Sequence, residues 1–538
     1  MVEAIDEEKF NFAKILKSED YNNLSLKDLT YFTTDYIIRC VEGHYQGRQI
    51  RLRELGNEFV IGNAEESDLC IKYSDLDEKH CKLKYIENTI YYTLEDLESK
   101  TGTWKKISNL EDSFEVIHDN VEFRFFNHRF IIEKKEDGHY LTFTQTCPSN
   151  KHTSKKINDS FLSIGKEACV INLDDLKCSE NHRFMILKHN DRVFVINDTE
   201  EVTNEGLFYR LRKDEVGLLR AGDIFKIGET SFRILNHNWG ITTELGDKSR
   251  QEDKFCIIDD LRIFDEIIVP CYAVYDGHAG PACSVYLQKH FHRNLREIII
   301  MKNLKESKNF LPDFISAVQE AIIYTDIAFS EFSPFSPYQG STCVMLFFIA
   351  NKVICCNLGD SVAILYKNDD QTVYLSKDFK PSRPKELERV KTKNGFVSND
   401  GRLLGLISVS RGFGDWRFKD PKNPKNVKKM EVNVTYDEYL MSNRAEFRIF
   451  DINPLTCEYI IVVSDGIFQH TAESEVFNII NHALKYDKQE LNNSLINVNS
   501  AADNVRLEII NRIYSNKQKK NKISTDNMTL ILVHLNNN

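Results

Sequence analysis

Val274-Tyr275-Asp276-Gly277-His278 is the stretch around which the chain is organised. It follows the apolar run Ile267 to Ala273, which predicts a buried strand. After it, Cys283, Leu287, Phe291, Leu295 and Ile298 recur at helical spacing. A carboxylate fixed at a strand end, a glycine that lets a ligand reach the backbone, and a histidine that titrates near neutrality make a place for chemistry. One such turn on its own is an ordinary strand end. Its meaning depends on whether other carboxylates stand in comparable positions.

They do. Glu252-Asp253 precedes this stretch, Asp465 ends the run Tyr459 to Ser464, and Asp526-Asn527 stands just before Met528 to Val533. Asp360, in Gly359-Asp360-Ser361, lies between the apolar runs Val344–Ile349 and Val353–Asn357 and the run Val362–Tyr366. Carboxylates at several strand ends can converge at one end of a sheet. Gathered there they repel one another and need a counter-charge. All-oxygen ligands suit Mg²⁺ or Mn²⁺ rather than zinc. Two such ions can clamp a phosphoryl group and acidify a water.

Composition sets the frame. The 538 residues exceed one core, so two to four domains are expected. With 28% charged and 41% hydrophobic residues the composition is that of a soluble globular protein. A formal net charge of -11 argues against nucleic acid as partner. The apolar run Val344 to Ala350 is too short to span a bilayer. The acidic opening Met1 to Glu8 lacks the apolar core of a secretory signal. The 13 cysteines are scattered without a C-x-x-C pair. They read as reduced thiols of an intracellular protein, cytoplasmic or nuclear, free or in a larger assembly.

Upstream of residue 237 the chain is polar to about residue 30 and then rich in short strand patterns. Landmarks occur twice: Ile61-Gly62 with Ile164-Gly165, His80 with His182, and Val121-Glu122-Phe123 with Asp223-Ile224-Phe225, at an offset of 102 or 103 residues. A constant offset means two copies of one unit. Short strands and polar turns at that length suggest a β-sandwich.

The landmarks resemble the forkhead-associated domain, a sandwich that reads phosphothreonine through loops at one end. In the first copy Asn63, Asp77 and Glu78 replace the family's cationic and hydroxyl positions, and two carboxylates there would repel phosphate. That copy is read as structural or as a protein-docking module. In the second copy Lys166 replaces the family's first arginine and Glu180 the second, Ser179 and His182 match, and Asn204 sits near the family's asparagine. Lys166, Ser179 and Asn204 are its candidate phosphopeptide contacts, and the landmark histidines read as packing residues.

The last three hundred residues resemble the metal-dependent serine/threonine protein phosphatases of the type 2C family. The resemblance rests on Glu252-Asp253, Val274 to His278, Gly340-Ser341-Thr342, Gly359-Asp360-Ser361, Ser410-Arg411-Gly412-Phe413-Gly414-Asp415, Ser464-Asp465-Gly466 and Asp526-Asn527-Met528-Thr529, in the family's order. It implies a central β-sandwich flanked by helix pairs. It also implies that Asp276 bridges two Mn²⁺ or Mg²⁺ ions, that the Gly277 carbonyl completes one shell, and that Glu252, Asp465 and Asp526 ligate directly or through water. Asp253 would hold a metal-bound water. The nucleophile would be activated water, and His278 would protonate the leaving oxygen. The segment ending in Asp415 is expected to brace the site from outside, with Arg411 structural.

Three departures stand out. Lys248 occupies the family's phosphate-binding arginine position, keeping the charge but losing the bidentate fork; Arg250 is the other candidate. Gln469 stands where an acidic residue often supports a third ion with Asp360. Phe379 replaces a common histidine. Lys and Arg are frequent between Lys377 and Lys429, where the family places a flap; Lys385, Arg389, Lys422 and Lys425 are among those that could draw acidic phosphoproteins to it.

The expectation is an α+β chain: a tail over 1–30, forkhead-associated-like sandwiches over 31–140 and 141–236, and an αββα catalytic domain over 237–538. Its expected work is hydrolysis of phosphoserine and phosphothreonine in protein substrates, with partners docked by the sandwiches. The alternative is a pseudophosphatase scaffold that keeps the fold and only binds.

Overall fold

The computed structural model describes residues 36–535 except 44–45, 47–48, 53–55, 73–74, 87–91, 108–112, 127, 137, 146–150, 158–160, 166–168, 170, 173–182, 190–191, 198–206, 214, 220–222, 236–237, 265–266, 350, 420–438, 454–455, 491–497 and 519–524. The chain divides into two compact units, one over Thr34–Asn236 and one that includes His237–Asn538.

In the first unit two β-sandwiches share one ten-stranded sheet. Their inner faces follow from alternation along the strands: Tyr92–Asp96 and Val121–Phe125 each bury every second residue. One core packs Phe59, Ile61, Leu83 and Leu94 against Phe225, Phe232 and Ile234. The other packs Phe123, Phe125 and Phe130 against Phe184, Ile186 and Val195. These lists already mix the two repeats. The first copy runs in its own sandwich up to Thr103–Lys106, and its next strands, Ser113–Glu115, Val121–Phe125 and His128–Lys135, complete the second. The matching strands of the second copy, Val216–Leu219, Ile224–Ile227 and Thr230–Leu235, complete the first.

The sandwiches over 31–140 and 141–236 are therefore not consecutive; the copies exchange their last three strands. The crossing is marked by Thr103–Lys106 pairing with Leu207–Arg210, one strand from each copy side by side. The physical reason lies in the repeat itself. Two copies with the same inner pattern present equivalent edges, so strands from either copy satisfy the same ladder and core. His80 is buried, its Nδ1 accepting the Asp77 N–H at 3.3 Å and its Nε2 donating to the Gly102 carbonyl at 3.1 Å, so it is a packing residue.

The second unit has four layers. One sheet contains Lys254–Phe264, Ile267–Tyr275, Cys343–Ile349, Lys352–Leu358 and Glu446–Asp451; the other contains Asn238–Glu244, Met528–His534, Cys457–Val463, Val362–Lys367 and Thr372–Tyr374. Tyr272, Val274, Leu346 and Val353 of the first sheet meet Leu365, Ile460, Val462 and Ile531 of the second. The outer faces are covered by helices. Ala282–Met301 and Phe310–Phe332 bury Leu287, Phe291, Phe314 and Val318 on one side. Glu473–Glu490 and Val498–Gln518 bury Val476, Ile480, Val505 and Ile509 on the other. With layers on both faces, Cys343–Ile349, Lys352–Leu358 and Met528–His534 are buried along their whole length, which is why they read as unbroken apolar runs. Cys256, Cys271, Cys343, Cys355 and Cys356 are free thiols inside this unit, and burial pushes each upward in pKa. Among the described residues no helix is long and apolar enough to cross a membrane.

Candidate active site

Strand register brings the carboxylates to one end of the second unit. Lys254 pairs with Tyr275, so Asp253 before one strand and Asp276 after the next lie side by side. Cys343 pairs with Leu358, which sets Thr342 and Asp360 at the same end. In the other sheet Val463 pairs with both Val362 and Leu530, bringing Asp465 and Asp526 to that end as well. The Asp276 carbonyl accepts the Thr342 N–H at 2.9 Å, and the Thr342 and Ser361 hydroxyls are 2.7 Å apart.

Asp276, Gly277, His278, Asp360, Asp465, Asp526 and Lys248 line a cleft of about 220 Å³ with Tyr338, Arg402, Leu406, Asp415 and Arg417. Asp253 sits behind it, 3% exposed, and accepts hydrogen bonds from Ser464 Oγ and Thr529 Oγ1, each at 2.8 Å. The backbone N–H of Glu252 donates to Asn527 Oδ1 at 2.8 Å. Gly277 packs against the Glu252 backbone, where a Cβ would collide. The sequence motifs contain Ser464, Thr529 and Asn527 beside the acidic stations, but gave no role to these three, which hold the carboxylates and the Glu252 backbone in place. Their signal was adjacency, since each stands within three residues of a recognised aspartate.

The electrostatics are those of crowded anions. Burial, then the charges of Asp253, Asp465, Asp360 and Asp526, hold the Asp276 carboxyl well above the usual carboxylate range. Burial raises Asp253 to about 6, although the Ser464 and Thr529 hydroxyls oppose the rise. Asp360 is raised to about 6 by burial and by Asp465, and Asp465 upward by burial and by Asp526. Lys248 is drawn into this field. Its Nζ lies 2.8 Å from Asp526 Oδ1 and 4.0 Å from Glu252 Oε2. Burial opposes its charge, but Asp526, Glu252 and Asp276 outweigh that and raise its pKa. Arg250 is exposed and is not among the residues lining the cleft. Gln469 Nε2 donates to Asp465 Oδ1 at 3.2 Å.

The residues fit hard divalent cations. Asp276, Asp360, Asp465 and Asp526 share one cleft and offer only oxygen, and burial with the neighbouring negative charge raises the pKa of the first three, the signature of a donor set that cations would relieve. Among the described residues no three ligating side chains are yet drawn close enough to hold an ion as they stand.

Asp415 has a more specific place than the expected brace. It is buried in the wall of the cleft, and its Oδ2 is hydrogen-bonded to His278 Nε2. The turn that aims it is left-handed at both Gly414 (φ 69°) and Asp415 (φ 50°), a conformation unfavourable for a residue with a Cβ. A fully buried ion pair imposes it. Asp326 Oδ1 accepts the Gly414 N–H at 2.7 Å, while Oδ2 takes Lys419 Nζ at 2.5 Å and Asn443 Nδ2 at 3.0 Å. Gly340 lies against the pair, where a Cβ would strike both Asp415 and His278. Burial lowers the His278 pKa, but Asp415 foremost, with Asp360 and Glu252, outweighs it, and the net direction is upward. Asp415 Oδ1 is buried without a hydrogen-bond partner.

Arg411 is a structural residue. It grips Glu386 through Nε and Nη2, donates to the Arg444 carbonyl at 2.9 Å, and stacks 3.9 Å from the centre of the Phe379 ring. Phe379 thus has a task of its own as a platform for Arg411. Arg389 is also largely shielded, tied to Glu386 and three backbone carbonyls rather than offered to a substrate. Lys422 and Lys425 lie outside the described residues, as do Lys166, Ser179 and Asn204.

Fold and site together define an αββα sandwich with a carboxylate-lined cleft at one end. The family model for Protein phosphatase 2C matches residues 242–511, half of the chain. The chain belongs to the protein phosphatase 2C family. Protein phosphatase 1L of Bos taurus is 24% identical over 257 residues, 47% of this chain and 66% of that protein. Probable protein phosphatase 2C 11 of Arabidopsis thaliana is 29% identical over 266 residues, 48% of this chain and 62% of that protein. The chain spans about two thirds or less of the length of the curated relatives it matches. A crystal structure of serine-threonine phosphatase 2C from Toxoplasma gondii overlaps 55% of this chain and 94% of its own, at 19% identity and a TM-score of 0.44. The FHA domain model matches residues 59–125, a span that runs through the strand exchange.

Proposed function

We propose that this protein is a metal-dependent serine/threonine protein phosphatase whose first unit docks protein partners. The observation that carries it is the convergence of five aspartates from separate strand ends behind and along one cleft, beside His278 and Lys248. Asp276, the Gly277 carbonyl, Glu252, Asp465 and Asp526 would hold two Mn²⁺ or Mg²⁺ ions, with Asp253 behind them and Asp360 available to a third. Bound there, such ions supply water activation and neutralise charge on the phosphoryl oxygens.

The chain's own side chains do the rest. Lys248 offers an ammonium to the substrate phosphate, and its pairing with Asp526 must be exchanged for that contact. His278, anchored through Nε2 on Asp415, presents Nδ1 for protonation of the leaving serine or threonine oxygen. Ser464 and Thr529 keep Asp253 oriented. In the first unit, Asp77 accepts the Lys100 N–H at 2.7 Å and Asp75 accepts the Glu229 N–H at 2.6 Å. Loops rich in carboxylates suit a basic protein partner better than a phosphopeptide.

Hydrolysis of a phosphothreonine peptide by the full chain, with and without Mn²⁺, tests the reading. Metal-dependent release of phosphate that Asp465→Asn abolishes supports it. Absence of turnover across Mn²⁺ and Mg²⁺ concentrations would favour the scaffold reading, to which the Lys248–Asp526 pair gives its one structural support.

A further inference from the structure

Arg417 is a cation in the cleft that the chemistry above does not use. It lines the cleft two residues beyond Asp415. Its guanidinium lies over two rings, 4.6 Å from the centre of Phe418 and 5.5 Å from that of Tyr338. Its Nε is buried with no hydrogen-bond partner. Among the described residues no carboxylate forms an ion pair with it, whereas Arg389 and Arg411 in the same unit are both paired with Glu386. An arginine held by aromatic faces, with donors unspent and facing a cleft, is built to meet an anion that arrives from outside.

Its position says which part of a substrate arrives. Tyr338 stands two residues before Gly340, and Gly340 pairs with His278 on one side and Gly414 on the other. Tyr338 and Arg417 therefore stand beside the His278–Asp415 pair in the same cleft, and if His278 protonates the leaving oxygen, the leaving residue and its peptide neighbours lie next to them. Arg402 lines the same cleft; it is 46% exposed and spends only part of its donor set, on Asp400 Oδ2 at 3.5 Å and the Leu406 carbonyl at 3.2 Å.

We propose that Arg417, with Arg402, forms a subsite for an anionic side chain next to the phosphorylated residue, so that the preferred substrates carry a carboxylate or a second phosphate there. This rests on the phosphatase reading above. A phosphate should be the better ligand, since it carries more charge and a third acceptor oxygen that can reach the second arginine.

The test is a panel of fluorescent phosphothreonine peptides that differ only at the flanking positions: alanine, aspartate, phosphoserine or lysine. The full chain is assayed for kcat/KM with Mn²⁺ and, separately, for affinity by fluorescence anisotropy. The aspartate peptide should exceed the alanine peptide by about fivefold, the size of a partly exposed ion pair, with the gain in KM. The phosphoserine peptide should exceed it further. Arg417→Glu should turn the preference toward the lysine peptide, an inversion that mere loss of packing cannot give. Arg417→Lys should keep part of the acidic preference and guards against a variant that fails to fold. Equal values for all four peptides, or an acidic preference that survives both Arg417→Glu and Arg402→Glu, would overturn the proposal. If no peptide is hydrolysed, the phosphatase reading fails on its own. The anisotropy data then still decide the subsite, by whether the acidic preference exists and inverts.

Discussion

The hydrogen bond between His278 Nε2 and Asp415 Oδ2 joins residues 137 apart in sequence and unequal in exposure, 27% for the histidine side chain and 1% for the aspartate. The ring meets the cleft and the carboxylate stays behind it. Asp415 therefore acts through His278, as a positioning residue. Asp415→Asn keeps the shape and removes the charge. It should lower kcat on a phosphothreonine peptide by roughly ten- to a hundredfold, a part of the roughly hundred- to ten-thousandfold that general acid catalysis is worth. An aryl phosphate, whose leaving group needs little protonation, should lose much less. The alkaline limb of the pH–rate profile should move to lower pH, because Asp415 is foremost in raising the His278 pKa and activity is lost as the acid form disappears. Equal losses on both substrates with an unmoved profile would mean a general distortion instead.

Chelation should abolish turnover, and Mn²⁺ or Mg²⁺ should restore it, because a cleft lined by Asp276, Asp465 and Asp526 calls for divalent charge. Asp276→Asn and Asp465→Asn should each cost several orders of magnitude in kcat. Isothermal titration with Mn²⁺ gives an independent reading, and both variants should bind it more weakly. A loss below about tenfold, roughly 1.4 kcal/mol, is too small for residues that hold the ions.

Lys248 and Arg250 should separate cleanly. Lys248 lines the cleft and Arg250 does not. Lys248→Ala should raise KM for small phosphate esters with a modest change in kcat, since the contact serves ground and transition states alike. Lys248→Arg should lower KM by restoring the fork. Steady-state kinetics of the three variants decide the matter: a strong KM effect from Arg250→Ala, with none from Lys248→Ala, reverses the assignment.

Glu386 makes the acid stability of the second unit predictable. Burial works against its charge, but Arg411 and Arg389 outweigh burial and hold the carboxyl at about 2. A depressed carboxyl stabilises the fold above its unfolded pKa, and that stability fades as pH falls from 4.5 toward 2. The amount at stake is roughly 3 kcal/mol. Calorimetric scans across this window should show the catalytic transition falling steeply in the wild type. In Glu386→Gln it should start lower at neutral pH and fall less. Parallel curves would count against the assignment.

Much of this site could be read from the chain before any coordinates, for a physical reason. An aspartate that ends an apolar run must sit at a sheet edge, so Asp276 and Asp465 announced their places, and Asp526 did so from the other direction. Asp415 could not be read this way. Its aim depends on a left-handed turn at Gly414, and that turn depends on Asp326 and Lys419, which are 93 residues apart. No local pattern encodes such a contact. The strand exchange was hidden for the opposite reason. The two copies are so alike in pattern that a repeat reveals two sandwiches without saying whose strands finish which.

That exchange makes the smallest inheritable piece of the first unit the whole of it. A chain cut after Tyr140, where a reader of the repeat would cut, has two half-built sandwiches and no intact one, because Ser113–Lys135 belongs with the later copy and Val216–Leu235 with the earlier. Duplication ordinarily leaves a spare that can be discarded. Here neither copy can be lost without ruining the other, yet each keeps its own loops. The pair is thus bound to persist together while its loops diverge, which is how a first copy with Asp77 and Glu78 can stand beside a second with Ser179 and Glu180 at the same positions.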